Sequence, residues 1–170
     1  MAILRITKYG EPVLRKKASP VTDLGADTQK LIKDMYDTMY AASGIGLAAP
    51  QVGIALRLAV VNVTPDKKKN QFVMINPKIV SSEGSIESEE GCLSLPGVGG
   101  TSFSRFSKVV VEALDEKGFP ITIKGEGLLA YCLQHEIDHL NGTMIIHHAP
   151  IKRRLEMLWT IRKLKKEKLW

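Results

Sequence analysis

The sequence predicts an α+β fold, with antiparallel or mixed sheets packed around a central metal-binding helix and a further helix at the carboxy terminus. Three observations predict it. Runs rich in Val, Ile and Leu over 55–64, 71–80, 107–114 and 119–124 read as strands. A proline-free segment over 126–141 has helical spacing and carries Gln134-His135-Glu136-Ile137-Asp138-His139. Residues 151–170 combine helical spacing with a concentration of basic side chains.

Taken in order, residues 26–42 form an amphipathic helix with Leu31, Ile32, Met35 and Met39 on one face. A stretch of small residues, Gly44 to Gly53, makes a tight connection into strand 55–64. The charged segment Asp66 to Asn70 joins that strand to 71–80. Residues 107–114 and 119–124 pair as a hairpin across Asp115-Glu116-Lys117-Gly118. In the helix that follows, Leu128, Leu129, Cys132, His135, Glu136 and His139 recur at helical spacing, and Gly142 stands where the helix stops. Leu133, Ile137 and Leu140 flank the polar positions, so this helix is expected to be buried.

Two histidines four residues apart lie one above the other on a helix face, so their imidazoles can converge on one ion. Glu136 is then placed to take a proton from a water activated by that ion. The motif alone also fits a core helix with two hydrogen-bonded histidines, although three titratable groups buried without an ion are costly. A third ligand decides between them, because a catalytic site of this kind has three protein ligands and an open position. Cys132 precedes His139 by seven residues, roughly 10.5 Å along a helix axis, which strains any shared coordination. It reads instead as a small apolar lining residue. Cys92, in Glu89-Glu90-Gly91-Cys92-Leu93-Ser94-Leu95-Pro96, sits on a bent backbone that can present a side chain, and it is the stronger candidate. Gln51 is a polar group in an apolar run. It fits either a donor to a developing oxyanion or a cap on local backbone groups. His147 and His148 fall just past the helix and read as surface or strand residues, with a supporting place behind the metal ligands as the lesser alternative.

Together, Gly44-Ile45-Gly46-Leu47-Ala48-Ala49-Pro50-Gln51, Glu90-Gly91-Cys92-Leu93-Ser94 and Gln134-His135-Glu136-Ile137-Asp138-His139 resemble, in order and spacing, the three motifs of the peptide deformylases. Tyr9-Gly10-Glu11-Pro12-Val13-Leu14-Arg15 fits the family's opening, and the resemblance runs to about Ile151. It implies an enzyme that removes the formyl group from the N-terminal formylmethionine of nascent polypeptides. It further implies that Cys92, His135 and His139 hold one divalent metal ion. That ion is typically ferrous iron, with zinc, nickel or cobalt as substitutes. Glu136 would act as general acid and base, while Gln51 and the backbone N–H of Leu93 would meet the oxyanion. Ile45, Gly46, Glu90, Gly91, Leu128, Tyr131 and Cys132 would contact substrate, and methionine would lie among Ile45, Leu128, Tyr131, Cys132 and the side of His135. In one departure, glycine (Gly99 or Gly100) stands where many members carry a substrate-holding arginine, in a loop about one residue longer. Arg105 aligns with a second, structural arginine. Gly97, Gly99 and Gly100 predict a mobile loop over 97–104.

The chain divides into a deformylase-like catalytic domain over 1–150 and a basic helix or tail over 151–170. The net charge is +6. Lys152, Arg153, Arg154, Arg162, Lys163, Lys165, Lys166 and Lys168 against Glu156 and Glu167 account for all of it. Such a tail fits contact with ribosomal RNA near the nascent chain's exit, as in some bacterial deformylases, or a solvated helix face. Leu155, Leu158 and Trp159 are expected to dock it on the body or a partner. No apolar run is long enough to span a membrane, no signal or transit peptide stands at the amino terminus, and two cysteines make no disulfide framework. These features point to a reducing, bacterial-type cytoplasm. A zinc metalloprotease shares the His-Glu-x-x-His logic, but Cys92 speaks against it. A metal-stabilised RNA-binding module would leave Glu136 and Gln51 without a purpose.

Overall fold

The computed structural model describes residues 2–64, 66, 67 and 70–170. The expected connection Asp66 to Asn70 therefore lies partly outside the described residues. The helices are α1 (Ala26–Ala41), α2 (Leu128–Leu140), α3 (Ile145–His148) and α4 (Ile151–Lys166). The strands are β1 (Gly46–Ala48), β2 (Leu58–Val61), β3 (Phe72–Glu83), β4 (Ile86–Glu90), β5 (Thr101–Arg105), β6 (Lys108–Leu114) and β7 (Pro120–Glu126). Short 3-10 turns cover Pro12–Arg15 and Ala49–Val52.

Five strands form one antiparallel sheet in the order β1-β2-β3-β6-β7, and β4 pairs with β5 in a separate ribbon. β2 and the first residues of β3 are apolar without interruption because the sheet is covered on both faces there, whereas β6 alternates buried with exposed or half-buried residues. Leu58, Val60, Val73 and Ile75 turn to Ile32, Met35 and Met39 of α1. The alternate residues Ala59, Val61, Met74, Val109 and Val111 turn to Ala130, Leu133, Ile137 and Leu140 of α2. The period of two along each strand thus sorts side chains between two helices, and α2 lies between the sheet and the β4–β5 ribbon.

Close approach fixes the height of α2. A Cβ on Gly125 of β7 would stand 2.7 Å from Leu133 Cδ1 and 3.1 Å from Ala130 Cα. At the far end, Arg57 donates to the Leu140 carbonyl at 3.3 Å and to Asn141 Oδ1 at 2.9 Å, satisfying groups a helix end leaves open. Gly142, at φ +75°, turns the chain away where a side chain would strike the Arg15 carbonyl.

Two expectations are corrected. His147 and His148 are not strand but form the last turn of α3, where His148 is exposed, as a surface residue, and His147 is half-buried. On α4, Met157 and Ile161 are buried against Leu14, Leu95, Val98 and Phe103, with Leu158 and Leu164 packed beside them. Leu155 and Trp159 remain 60% and 66% exposed. Each lies two residues from Met157, about 200° around the helix, and so points away from the body.

Gly125→Ala is expected to destabilise the fold by about 1–3 kcal/mol through overpacking between β7 and α2. Denaturant unfolding measures this, and an unchanged midpoint would mean that the helix does not rest on the strand so closely.

A candidate metal centre in an apolar pocket

The three motifs meet at one place. Strand β4 ends at Glu90, and the bend after it delivers Cys92 to the side of α2 on which His135 and His139 stand one turn apart. Cys92 Sγ lies 3.3 Å from His139 Nε2, and His139 Nε2 lies 3.2 Å from His135 Nε2. Among the described residues, Cys92, His135 and His139 form a group able to hold a metal ion, their ligand atoms all within 4.8 Å of one another. Cys132 stands outside it.

The donor set fits a cation. Bonds of about 2.0–2.3 Å in a tetrahedral arrangement place neighbouring ligand atoms roughly 3.3–3.6 Å apart, close to the two separations above. The protonation pattern agrees. His135 Nδ1 lies 2.8 Å from Glu90 Oε2. A carboxylate can only accept, so Nδ1 carries a proton and Nε2 is the nitrogen turned to the centre. Burial lowers the His135 pKa, but hydrogen bonds to Cys92 and Glu90 outweigh it and raise it well above the ordinary value, so a cation there takes the place of the Nε2 proton. His139 is buried, and burial, with the neighbouring His135, pushes its pKa well below the ordinary histidine value. It is therefore a neutral imidazole, the form that ligates.

Behind the ligands lies a buried charge network. Arg105 donates to Glu90 Oε1 at 2.8 Å through Nε and to Glu90 Oε2 at 3.1 Å through Nη2, and its Nη1 reaches Asp138 Oδ2 at 2.7 Å. His148 Nε2 meets the same Asp138 oxygen at 2.8 Å. Burial alone would raise the Glu90 carboxyl, but hydrogen bonds from His135 and Arg105 outweigh it and hold the pKa at about 2. Glu90 therefore borders the pocket with its carboxylate already engaged on His135 and Arg105. Arg105, expected as a structural arginine, and His148, expected at the surface or, less, behind the ligands, meet here on Asp138, which was not singled out. The polar Asp138 inside a buried helix motif was the available signal.

Glu136 has the opposite character. Burial, reinforced by the charges of Glu90 and Asp138 and partly offset by His135, raises its pKa to about 7. Its Oε2 is buried without a partner. It also presses on β1: a Cβ on Gly46 would stand 2.8 Å from Glu136 Cδ and 3.0 Å from Cys132 Sγ. Gly46 thus makes room for the glutamate. Gln51 is buried, and its Oε1 accepts from the Ala48 N–H at 2.9 Å. That bond orients the amide so that Nε2 faces Cys92 Sγ at 3.7 Å and Ser94 Oγ at 3.4 Å. Gln51 therefore caps local backbone and points a donor at the centre.

A cavity of about 520 Å³ opens over these groups. Ile45, Gly46, Gln51, Glu90, Gly91, Cys92, Leu93, Leu128, Tyr131, Cys132, His135 and Glu136 all line it, and Gly97 and Val98 extend its wall. His139 lies deeper. Cys132 donates to the Ile45 carbonyl at 3.7 Å, and burial, with the charges of Glu136 and Glu90, keeps it a thiol.

The geometry has a counterpart among known proteins. Residues 3–154 match the family model described as polypeptide deformylase. The peptide deformylase of Thermodesulfovibrio yellowstonii is 53% identical over 157 residues, spanning 91% of this chain and 94% of that relative. The peptide deformylase of Endomicrobium trichonymphae is 46% identical over the full length of both chains. Among solved structures, a peptide deformylase from Legionella pneumophila matches with a TM-score of 0.93 at 48% identity, over 99% of this chain and 98% of that one. A Synechococcus elongatus peptide deformylase in complex with actinonin matches with a TM-score of 0.87 at 40% identity, over 97% and 88%. With likeness this extensive and all three motifs gathered at one pocket, the chain belongs to the polypeptide deformylase family, metal-dependent hydrolases that remove the formyl group from the amino terminus of new polypeptides.

Proposed function

We propose that Cys92, His135 and His139 hold one divalent cation, ferrous iron in the cell, and that the pocket above them takes the N-formylmethionyl end of a nascent chain. Zinc, nickel or cobalt would substitute. The observation that carries this reading is the convergence of one sulfur and two imidazole nitrogens beside a buried, unpartnered carboxylate oxygen. When bound, the cation supplies Lewis acidity that lowers the pKa of water and polarises the formyl oxygen. A thiolate in the set tunes that acidity.

The chain's own side chains do the rest. Glu136, with a pKa of about 7, suits both halves of a proton transfer near neutral pH. It accepts the proton of the attacking water as the oxygen bonds to the formyl carbon. It then delivers that proton to the departing amine as the carbon–nitrogen bond breaks, leaving formate and a free amino terminus. Negative charge gathering on the formyl oxygen is met by Gln51 Nε2 and the Leu93 N–H. Ile45, Leu128, Tyr131, Cys132 and the flank of His135 surround the methionine side chain. Gly46 and Gly91 let the peptide backbone come close.

The family acts on nascent chains, and the basic α4 supports a station on the ribosome. Lys152, Arg154, Arg162 and Lys163 share that helix with exposed Leu155 and Trp159, a combination suited to phosphates and bases. The same reading places the protein in the cytoplasm. No helix of the described residues is long and apolar enough to cross a membrane.

The test is formate release from a formyl-methionyl tripeptide by protein reloaded anaerobically with ferrous iron, beside metal-stripped protein. Release is expected only from the loaded form; release from unformylated peptides by proteolysis would displace this reading. Glu136→Gln is expected to retain one metal per chain and lose turnover by about 10²–10⁴-fold, whereas near-normal turnover would remove Glu136 from its assigned role. Acid is expected to act through Glu90. Its folded pKa of about 2 lies below the ordinary 4.5, so its stabilisation is complete above about 4.5 and is lost as the pH falls towards 2. Glu90→Gln should flatten the decline of the unfolding midpoint over that interval; an unaltered slope would show that another carboxylate governs it.

A further inference from the structure

One wall of the pocket carries Gly97 and Val98, and the chain runs on from them as Gly99-Gly100. Chain of this composition has little to hold it in one conformation, yet here it is tied at three points to one helix. Val98 is buried in the same cluster as Met157 and Ile161 of α4. Gly97, at φ +70°, lies so close to α4 that a Cβ would stand 3.2 Å from Leu164 Cδ1. Arg153 Nη2 donates to the Gly100 carbonyl at 2.9 Å and to the Gly99 carbonyl at 3.3 Å. The guanidinium is itself braced one turn on, where Arg153 Nη1 meets Glu156 at 3.2 Å. Gly100 in turn abuts the metal-bearing segment, since a Cβ there would lie 3.3 Å from both Glu89 Cγ and the Glu90 carbonyl.

We propose that Arg153 is a positioning residue for the reaction: by clamping the Gly99 and Gly100 carbonyls from α4, it fixes the 97–100 wall on which the peptide beyond formylmethionine rests. The proposal rests on the reading of this pocket as the peptide site. Arg153 reaches the wall through the Gly99 and Gly100 carbonyls, and neither of these residues is among those lining the pocket, so its effect falls on binding and leaves bond cleavage alone. Both carbonyls are met by Nη2 while Nη1 of the same plane holds Glu156, so the guanidinium joins three groups from two fixed nitrogens, which a single ammonium cannot match with the same geometry. Two charge-assisted hydrogen bonds are lost with the side chain. The basic α4 thereby has a task within the chain, separate from any ribosomal contact made by its outward face.

The experiment compares wild type, Arg153→Ala, Arg153→Lys and Lys152→Ala, each loaded with iron, on formyl-methionyl peptides of one to four residues. Amide hydrogen exchange is followed over 97–101. Arg153→Ala is expected to raise KM on the order of five- to tenfold for the longer peptides. It should leave kcat and metal content unchanged, leave KM for formylmethionine alone nearly unchanged, and speed exchange in the 97–101 wall. Arg153→Lys should restore the effect only in part. Lys152→Ala removes the same charge from an exposed neighbouring position and should match wild type. An unchanged KM in Arg153→Ala overturns the proposal, as does an equal fall in kcat on every peptide or a shift shared by Lys152→Ala. Wild type without formate release, by contrast, would overturn the underlying assignment of the pocket.

Discussion

The buried carboxylate of Glu90 is the interaction on which the site depends. It accepts from Arg105 on one side and His135 on the other, and each of these carries a consequence. Arg105 stands on β5 and reaches Asp138 on α2, so one guanidinium joins the β4–β5 ribbon to the helix. His135 belongs to α2, and Cys92 follows Glu90 by two residues. The ion pairs that fasten the ribbon to the helix therefore also set how far the cysteine lies from the two histidines. Charges buried this deeply tolerate the interior only while paired. Removing one partner from such a network costs about 3–5 kcal/mol because the other is left uncompensated. Its stabilisation is tied to the geometry that a metal site requires.

The five-stranded sheet supplies the second constraint. Along β2 and the start of β3 both faces are covered, so these strands are fixed in register by two helices at once, and a slip of one residue would exchange the two sets of apolar side chains. β1 sits at the sheet's edge beneath α2, and glycine at position 46 lets it pass against Glu136. The carboxylate is thus confined in an apolar, crowded place with one oxygen unpartnered. That arrangement is unfavourable for a carboxylate in isolation. It is also what brings its pKa to about 7, and the stability given up there comes from the tightly packed sheet and helix around it.

Much of this was legible in the chain, and the divisions are physical. Local signals carried far: helical spacing around His135 and His139, apolar runs for β2, β3, β6 and β7, and the turn at Asp115 to Gly118 all depend on neighbours in sequence. Side-chain partners distant in sequence carried less. Glu90, expected at the substrate, has its carboxylate on His135, 45 residues away, and no local pattern records such a pairing. The same applies to Arg105 with Asp138 and to His148, which joins them from α3. On α4 the basic composition was evident but the docking face was not. Leu155 and Trp159 are the larger apolar side chains, yet Met157, Ile161 and Leu164 follow the period that faces the body. The glycines at 97–100 suggested mobility because composition speaks only for the segment itself; the contacts that hold it come from α4.

The two cysteines show how far environment, rather than residue type, assigns a role. Cys92 and Cys132 both border the same pocket. Cys132 stands on α2 three residues before His135, is surrounded by apolar side chains and the charges of Glu136 and Glu90, and spends its proton on the Ile45 carbonyl. An anion there would meet like charge without compensation, so it stays a thiol and serves as apolar lining. Cys92 stands on a bend beyond the helix, within reach of His139 Nε2 and the Gln51 amide. Its sulfur there faces a donor and an imidazole pair. Helix geometry excluded Cys132 as a ligand from spacing alone. The fold adds a second reason: Cys132 Sγ is committed to the Ile45 carbonyl and buried, whereas Cys92 Sγ converges with the two imidazole nitrogens.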